Sequence, residues 1–354
     1  MAWPRAFGNS FDSGRFALQA LYLALLAILT ILVLVPLALI VTTSLLTGLP
    51  FSGNKAAGFT LANYAALASG DIGQALVNTL IVSLGGGALA MAVGSTLAWL
   101  AARTDIPLKS LVHLAGVMPL FLSLLVAAVT WSLLGAGRSG YLNIIFEGLG
   151  LPWRLEMQSL AGIVFLHGIY YAPYPFLLLY SALTLIHPDL EEAASVHGGD
   201  MARNLHRITF PLVKPALIGS FLLIVVLMAE EFPVPAILGG PVGIETLSIA
   251  IFRLMTRVPA LPNEAAALSV ALTAVVAGLV FTQRRVLAGR DYRTVTGKGT
   301  QVRPLRLGLW RWPARGLVAL YIAVSVVLPM LALLHGALRT SLFVPNMAAF
   351  FDLS

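Results

Sequence analysis

Long apolar runs separated by short polar segments dominate the pattern of hydrophobic and polar positions along the chain. Six runs precede a basic stretch that begins at Arg284, and a seventh run follows it. A helix needs roughly 20 apolar residues to cross a bilayer, so each run predicts a membrane-spanning helix. The predicted spans are 17–46, 74–102, 108–134, 160–186, 214–239, 264–283 and 317–335. The pattern therefore predicts an all-α polytopic membrane protein.

Composition supports a membrane fold over a soluble one. Apolar residues make up 58% of the 354 residues and charged residues only 10%, whereas soluble domains carry about a quarter charged residues. A soluble fold of this size could not bury so much apolar surface. The sequence contains no cysteine, which excludes disulfides, thiolate metal sites and cysteine nucleophiles.

The basic residues predict which way the chain is inserted. With the N-terminus in the cytoplasm, sixteen of the 22 Lys and Arg residues fall on the cytoplasmic side and six on the outer side. This excess matches the positive-inside bias of membrane proteins. The net charge of +7 is thus explained by membrane orientation, and no nucleic-acid partner is expected. We predict a multi-pass protein of the cell's inner membrane with a cytoplasmic N-terminus.

A stripe of small residues in the second span predicts close helix packing. Gly86, Ala90, Gly94 and Ala98 recur every four residues and therefore share one helical face. In lipid such a face lets another helix approach closely, because dispersion contacts replace the hydrophobic driving force. Prolines interrupt several of the apolar runs, so those helices are expected to face protein or a wet cavity. These prolines are Pro36, Pro119, Pro173, Pro175, Pro233 and Pro235.

The polar loop at 187–217, on the predicted cytoplasmic side, contains a distinctive motif. Pro188 can begin a helix, Gly198 and Gly199 can end it, and a second helical stretch follows. The order Glu192-Ala193-Ala194, then Gly198, then Ile208, then Phe210-Pro211 resembles the EAA loop of binding-protein-dependent ABC importer permeases. Phe210 is a departure, since leucine is usual there. An ordinary amphipathic interhelical loop is the alternative interpretation.

The resemblance implies a type I (MetI-like) helical bundle whose loop docks on an ATP-hydrolysing subunit. The expected coupling residues are Glu191, Glu192, Ala193, Ala194, Gly198, Asp200, Ile208 and Pro211. The chain contains no GxxxxGK[ST] phosphate-binding motif. It is therefore expected to bind no cofactor itself, and two separate ATPase subunits would use the ATP. An extracytoplasmic solute-binding protein, a second permease half and the lipid bilayer are the other implied partners.

The beginning of the chain is echoed near its end. Residues 319–350 and 20–46 both start Ala-Leu-Tyr, hold one proline inside the apolar run and lead into a Thr/Ser-containing stretch. The two segments lie about 300 residues apart, and a repeat with so long a period indicates duplication of a whole domain. It resembles importers of ferric iron and thiamine in which two permease domains are fused. We predict a first permease unit at 1–315, ending in a basic linker, and the incomplete start of a second unit at 316–354.

Two adjacent acids are the candidate substrate-path residues. Glu230 and Glu231 lie near the outer end of the fifth span, where ionisable residues usually face the bundle interior or water. We expect one of them to line a path for a cationic substrate; the alternative is that both end a helix at the membrane surface. Ferric iron is the leading substrate, followed by thiamine, polyamine or phosphonate compounds.

Other chemistry finds little support in the sequence. Tyr170, Tyr171, Tyr174 and Tyr180 lie near His167 in the fourth span, and belt or packing roles are favoured over metal binding. The histidines have no metal-ligand spacing, so no metal site is expected. The chain is predicted to be a transporter subunit and not an enzyme. An ion-coupled secondary carrier or an intramembrane enzyme are the alternatives from other classes.

Overall fold

The computed structural model describes residues 10–48, 58–68, 70–186, 207, 209–288 and 304–339. Helices form nearly all of this part of the chain, and short 3₁₀ and π-helical segments occur between them. The main helices are α1 Ser10–Ser44, α2 Gly70–Arg103, α3 Lys109–Val117, α4 Leu124–Gly135, α5 Tyr141–Gly148, α6 Leu160–Tyr171, α7 Pro173–Thr184, α8 Phe210–Glu230, α9 Leu247–Thr256, α10 Pro262–Ala288, α11 Arg311–Ile322 and α12 Leu328–Ala337.

Within the described residues, six helical segments are long and apolar enough to cross a membrane. They are Leu18–Ser44, Gly70–Arg103, Leu160–Thr184, Phe210–Glu230, Pro262–Arg285 and Gly308–Ala337. Each overlaps one of the predicted spans, although the ends differ. The all-α polytopic fold predicted from hydropathy is confirmed.

The apolar run predicted as a span at 108–134 is a bent pair of helices. Two helical segments, Lys109–Phe121 and Leu124–Gly135, meet there at 96°. Pro119 has no N–H to donate, and around it the chain tightens into a 3₁₀ turn before Leu122 becomes extended. Hydropathy does not detect this bend, because the residues on both sides of it are equally apolar.

The fifth predicted span, 214–239, also ends earlier than expected. Helix α8 stops at Glu230, and the following residues form a second bent pair. In that pair Pro235–Val242 and Leu247–Thr256 meet at 73°. The apolar run therefore contains one span and the beginning of a broken segment.

The described residues belong to two compact units. The first comprises 1–69 and 251–273. In it, Asn263 donates its side-chain amide to the carbonyl oxygens of Thr43 at 2.9 Å, Leu46 at 2.8 Å and Gly48 at 3.2 Å. Asn63 donates in the same way to Ser44 at 2.8 Å and Leu46 at 3.0 Å. These amides bind carbonyls of the last turn of helix α1 and of the segment that follows it.

The second unit, 70–250 and 274–354, is built around α2, which packs against α6, α7 and α8. The small-residue stripe forms part of this contact. Ala90 and Ala98 are fully buried. A methyl group at Gly86 would lie 3.0 Å from Cβ of His167, and one at Gly94 would lie 2.7 Å from Cγ of Pro175. The absence of side chains at these glycines lets α2 approach α6 and α7 closely.

Helices α11 and α12 pack within this same unit. Tyr321 donates its hydroxyl to the Ile169 carbonyl at 3.0 Å, and Tyr170 donates to the Ser325 carbonyl at 2.9 Å. Tyr170 thus has a packing role inside the bundle and does not lie in a surface belt. The assignment of 316–354 to a second permease unit stays a prediction, and residues 340–354 lie outside the described part.

The segment before α11 is joined to the loop after α2. Leu305 donates its N–H to the Arg103 carbonyl at 2.8 Å, and Asp105 donates to the Leu305 carbonyl at 2.9 Å. The Asp105 carboxylate accepts the Leu307 N–H at 2.8 Å and pairs with the Arg311 guanidinium. These contacts place the 103–105 loop and the 305–311 segment on the same side of the bundle.

We expect this junction to loosen only in acid. The Leu307 hydrogen bond and the Arg311 charge lower the pKa of Asp105 below its usual value. A lowered folded-state pKa stabilises the folded chain above the unfolded pKa of about 4, and that stabilisation disappears as pH falls through the folded value. The melting temperature of Asp105→Asn should therefore be lower than that of the wild type at neutral pH. The difference between the two melting temperatures should shrink below about pH 4. A difference that persists unchanged in strong acid would contradict this explanation.

Candidate functional site

The candidate functional site is the break that follows α8. The helix ends at Glu230, and Glu231 is already extended, with φ −66° and ψ 135°. Phe232 precedes Pro233, and a residue before proline is disfavoured in the helical region. A short π-helical segment, Pro235–Gly239, follows. The local sequence therefore explains why helix α8 ends at Glu230 and why backbone polar groups after it lack helical partners.

Glu231 turns its carboxylate into the protein. Only 8% of the residue is exposed. Both carboxylate oxygens lie 3.2 Å from the Val234 backbone N–H, which donates to them. Oε2 also lies 3.2 Å from Nε2 of His167. The carboxylate thus closes the turn after α8 and connects that turn to α6.

His167 is fully buried in the middle of α6. Its other ring nitrogen, Nδ1, lies 2.9 Å from the Ile163 carbonyl oxygen one helical turn earlier. The ring of Tyr171 stacks on the imidazole, with centroids 5.7 Å apart, and Tyr174 stacks on Tyr171 at 5.6 Å. Both nitrogens of His167 therefore have partners, and its ring is held between polar contacts and aromatic packing.

Helix α2 holds the far end of the broken segment. Asn78 donates its amide to the Glu245 carbonyl at 2.8 Å, and Leu247 donates its N–H to the Thr79 hydroxyl at 2.9 Å. Ser248 then donates its hydroxyl to the Glu231 carbonyl at 2.7 Å. Polar contacts therefore run from α2 through the broken segment to α6.

Glu230 has a different environment from its neighbour. It is exposed at the last position of α8, whereas Glu231 is buried. The two acids predicted as substrate-path candidates therefore separate into one that is accessible and one that is engaged inside the protein. Because the main chain changes from helical to extended between them, adjacent side chains reach opposite environments.

The predicted coupling residues are mostly not covered by the structure. Glu191, Glu192, Ala193, Ala194, Gly198, Asp200 and Ile208 lie outside the described residues. Pro211 is described, and it occupies the exposed first turn of α8. The role of these residues stays a prediction. Within the described ranges no group of three or more His, Cys, Asp or Glu side chains could hold a metal ion.

The sequence did not single out Asn78, Thr79 or Ser248, and it noted His167 only as a neighbour of tyrosines. One signal was available, because polar residues inside a membrane span are costly and usually functional. Asn78, Thr79 and His167 each interrupt an apolar run. Their partners could not be read from the sequence, since His167 and Glu231 are 64 residues apart.

Several known proteins resemble the chain in sequence, although no protein-family model matches it. A putative ferric transport system permease protein of Haemophilus influenzae is 28% identical over 163 residues, which cover 46% of this chain and 26% of that protein. A probable ABC transporter permease protein of Brucella suis is 29% identical over 238 residues, which cover 62% of this chain and 78% of the relative. The match thus spans only about a quarter of the ferric permease.

Other relatives carry different transport names. A spermidine/putrescine transport system permease protein of Salmonella typhimurium is 28% identical over 217 residues, covering 60% of this chain and 74% of that protein. Trehalose transport system permease proteins of Mycobacterium tuberculosis also match. Permeases of several transport systems are therefore related to this chain.

A solved structure shares the fold. It is a chain of a bacterial alginate ABC transporter in complex with an alginate pentasaccharide-bound periplasmic protein. The TM-score is 0.63 at 18% identity, and the alignment covers 82% of this chain and 98% of the other. A transporter of known structure therefore contains a chain with a similar fold.

Proposed function

We propose that this chain is a permease of the binding-protein-dependent ABC importer class, a transporter subunit and not an enzyme, and that it conducts a cation, foremost ferric iron, into the cell. The observation that carries the proposal is the match to the Brucella permease over 78% of that protein's length. The alginate transporter's fold agrees with it. The broken segment after α8 supplies the polar groups that a path through apolar helices requires.

Glu230 is the residue that we propose for the substrate path. It is exposed at the end of α8, beside the polar contacts of the broken segment. A carboxylate at this depth attracts a cation and disfavours an anion. Ferric iron fits this charge and the name of the Haemophilus relative. A polyamine is the second candidate, because it is also cationic and the Salmonella relative carries that name.

We further propose that the chain works with two ATPase subunits, a binding protein on the outer side and a second permease half. Its proposed orientation has the N-terminus in the cytoplasm. The basic residues alone give that direction, and two contacts agree only with the predicted grouping of loops on each side. The 103–105 loop and the 305–311 segment, both expected in the cytoplasm, are bonded to each other. Tyr141 and His335, both expected near the outer side, have ring centroids 5.0 Å apart.

Uptake measurements test the substrate proposal. In the natural host, we expect Glu230→Gln to reduce uptake of radioactive ferric iron, presented as ferric citrate, by about tenfold, equivalent to ~1.4 kcal/mol of lost interaction. The loss should come from the cation's interaction with the charge, since the glutamine has nearly the same size. Glu147→Gln is the matched control. Glu147 is exposed at the end of α5, so this substitution removes the same charge at a different place.

Uptake by the Glu230→Gln variant tests the role of this acid, and uptake by a deletion strain tests the identity of the substrate. Unchanged iron uptake in Glu230→Gln would exclude this acid from the path. Deletion of the gene without loss of iron uptake would exclude iron as substrate. Loss of spermidine uptake in the same deletion strain would instead favour the polyamine.

A further inference from the structure

The hydrogen bonds of His167 determine how many protons the His167–Glu231 pair contains. Nδ1 lies 2.9 Å from the Ile163 carbonyl oxygen. A carbonyl oxygen can only accept a hydrogen bond, so Nδ1 must carry a proton and donate it. This fixes one of the two protons and leaves Nε2 to contact the carboxylate of Glu231.

The contact between Nε2 and Oε2, at 3.2 Å, needs a second proton. With Nδ1 protonated, a neutral imidazole has a bare Nε2, and a bare nitrogen facing an ionised carboxylate would set two acceptors against each other. The proton must therefore lie either on Nε2, giving an imidazolium and a carboxylate, or on Oε2, giving a neutral imidazole and a carboxylic acid. The pair carries no net charge in both cases.

Burial makes this neutrality necessary. His167 is 0% exposed and Glu231 8% exposed, and the surrounding contacts are aromatic or backbone. Tyr171 stacks on the imidazole, the Val234 N–H and the Ser248 hydroxyl bind Glu231, and the adjacent charge of Glu230 is on an exposed residue. An unpaired charge here would be strongly destabilising, whereas the proton-sharing pair satisfies every polar atom of the contact.

We propose that His167 and Glu231 form a proton-sharing latch that holds the broken segment after α8 against α6. His167 is then a positioning residue, and Glu231 fastens the segment and is not a ligand of the transported cation. Glu230 is left as the acid of the two that can meet the substrate. Only this last consequence rests on the proposed function; the latch itself rests on the contacts of His167 and Glu231.

Substitutions at Glu231 separate a latch from a charged ligand. A glutamine at position 231 can accept the Val234 N–H with its oxygen and donate its amide to a bare Nε2. Glu231→Gln should therefore keep the melting temperature of the purified protein close to wild type. Glu231→Ala and His167→Ala each leave a buried partner unsatisfied, and each should lower the melting temperature by about 5–10 °C. Glu230→Gln is the matched control on the neighbouring acid and should leave the melting temperature unchanged.

Nitrogen NMR of isotope-labelled histidine gives a readout that a merely structural role would not move. The His167 signals, identified by their loss in His167→Gln, should show a protonated Nδ1 at neutral pH. In Glu231→Gln, Nδ1 should stay protonated and Nε2 should be bare. A neutral ring with its proton on Nε2 in the wild type would overturn the latch.

Transport then distinguishes the latch from the proposed function. If the latch is correct, Glu231→Gln should retain ferric iron uptake within about threefold of wild type, while Glu230→Gln loses it. A large loss of uptake in Glu231→Gln at unchanged melting temperature would make Glu231 a ligand and overturn its proposed role. If the wild-type protein carries no iron, the proposed substrate fails, whereas the melting temperatures and the NMR signals still decide the latch.

Discussion

Replacing Gly94 by alanine is expected to prevent α2 from packing correctly. A methyl group at Gly94 would overlap the Ala172 carbonyl oxygen and lie 2.7 Å from Cγ of Pro175 and 3.0 Å from the Phe176 nitrogen. Two of these neighbours are backbone atoms where α6 passes into α7, so they cannot move aside as a flexible side chain could. We expect a destabilisation of about 3 kcal/mol or more, at the upper end of overpacking effects.

Gly73 provides a control in the same helix. A methyl group there would meet nothing within 4 Å, so Gly73→Ala should be neutral or stabilise α2 by up to ~1 kcal/mol through its higher helix propensity. The measurement is the yield of monodisperse protein after detergent extraction, followed by its melting temperature. Equal behaviour of Gly94→Ala and Gly73→Ala would mean that α2 does not approach the α6–α7 junction as described.

Replacing Ala194 by arginine is expected to abolish transport without preventing insertion of the chain. The resemblance to the EAA loop implies that Ala193 and Ala194 lie against an ATPase subunit, where a long charged side chain would block close approach. Ferric iron uptake should fall by at least about tenfold, and an ATPase that copurifies with the wild-type permease should be lost. Residue 194 lies outside the described part of the chain, so this expectation comes from the motif alone.

Thr300→Arg, in the basic linker, is the matched control for adding a positive charge on the same predicted side of the membrane. It should leave both uptake and ATPase recovery at wild-type levels. If Ala194→Arg retains its ATPase and its uptake, the loop around Glu192 and Gly198 does not couple the permease to ATP hydrolysis.

Hydropathy predicted the spans well because a bilayer imposes one length on every helix that crosses it. The helices Gly70–Arg103 and Phe210–Glu230 follow directly from this requirement. The bend within 108–134 has a different origin. Whether a helix with Pro119 continues, kinks or turns by 96° depends on the neighbours that satisfy the released backbone groups, and those neighbours are distant in sequence.

The candidate site was predicted only in part, because its contacts also come from residues that are distant in sequence. An acid such as Glu231 inside an apolar run marks a functional position, but its environment is set by His167 and Ser248, which come from separate segments. The sequence therefore located the two acids and could not separate their environments. The small-residue stripe was likewise visible as a pattern, while its contact with Ala172 and Pro175 required the structure.

The way in which α1 is fastened has a mechanical consequence. None of its most apolar eighteen-residue window is buried, while Asn63 and Asn263 bind the carbonyl groups at its C-terminal end. The C-terminal end of the helix is therefore anchored. A thinner or thicker bilayer would change the tilt of α1 about that anchor at a modest energetic cost, and the hydrogen bonds of the two asparagines would stay in place as it leans.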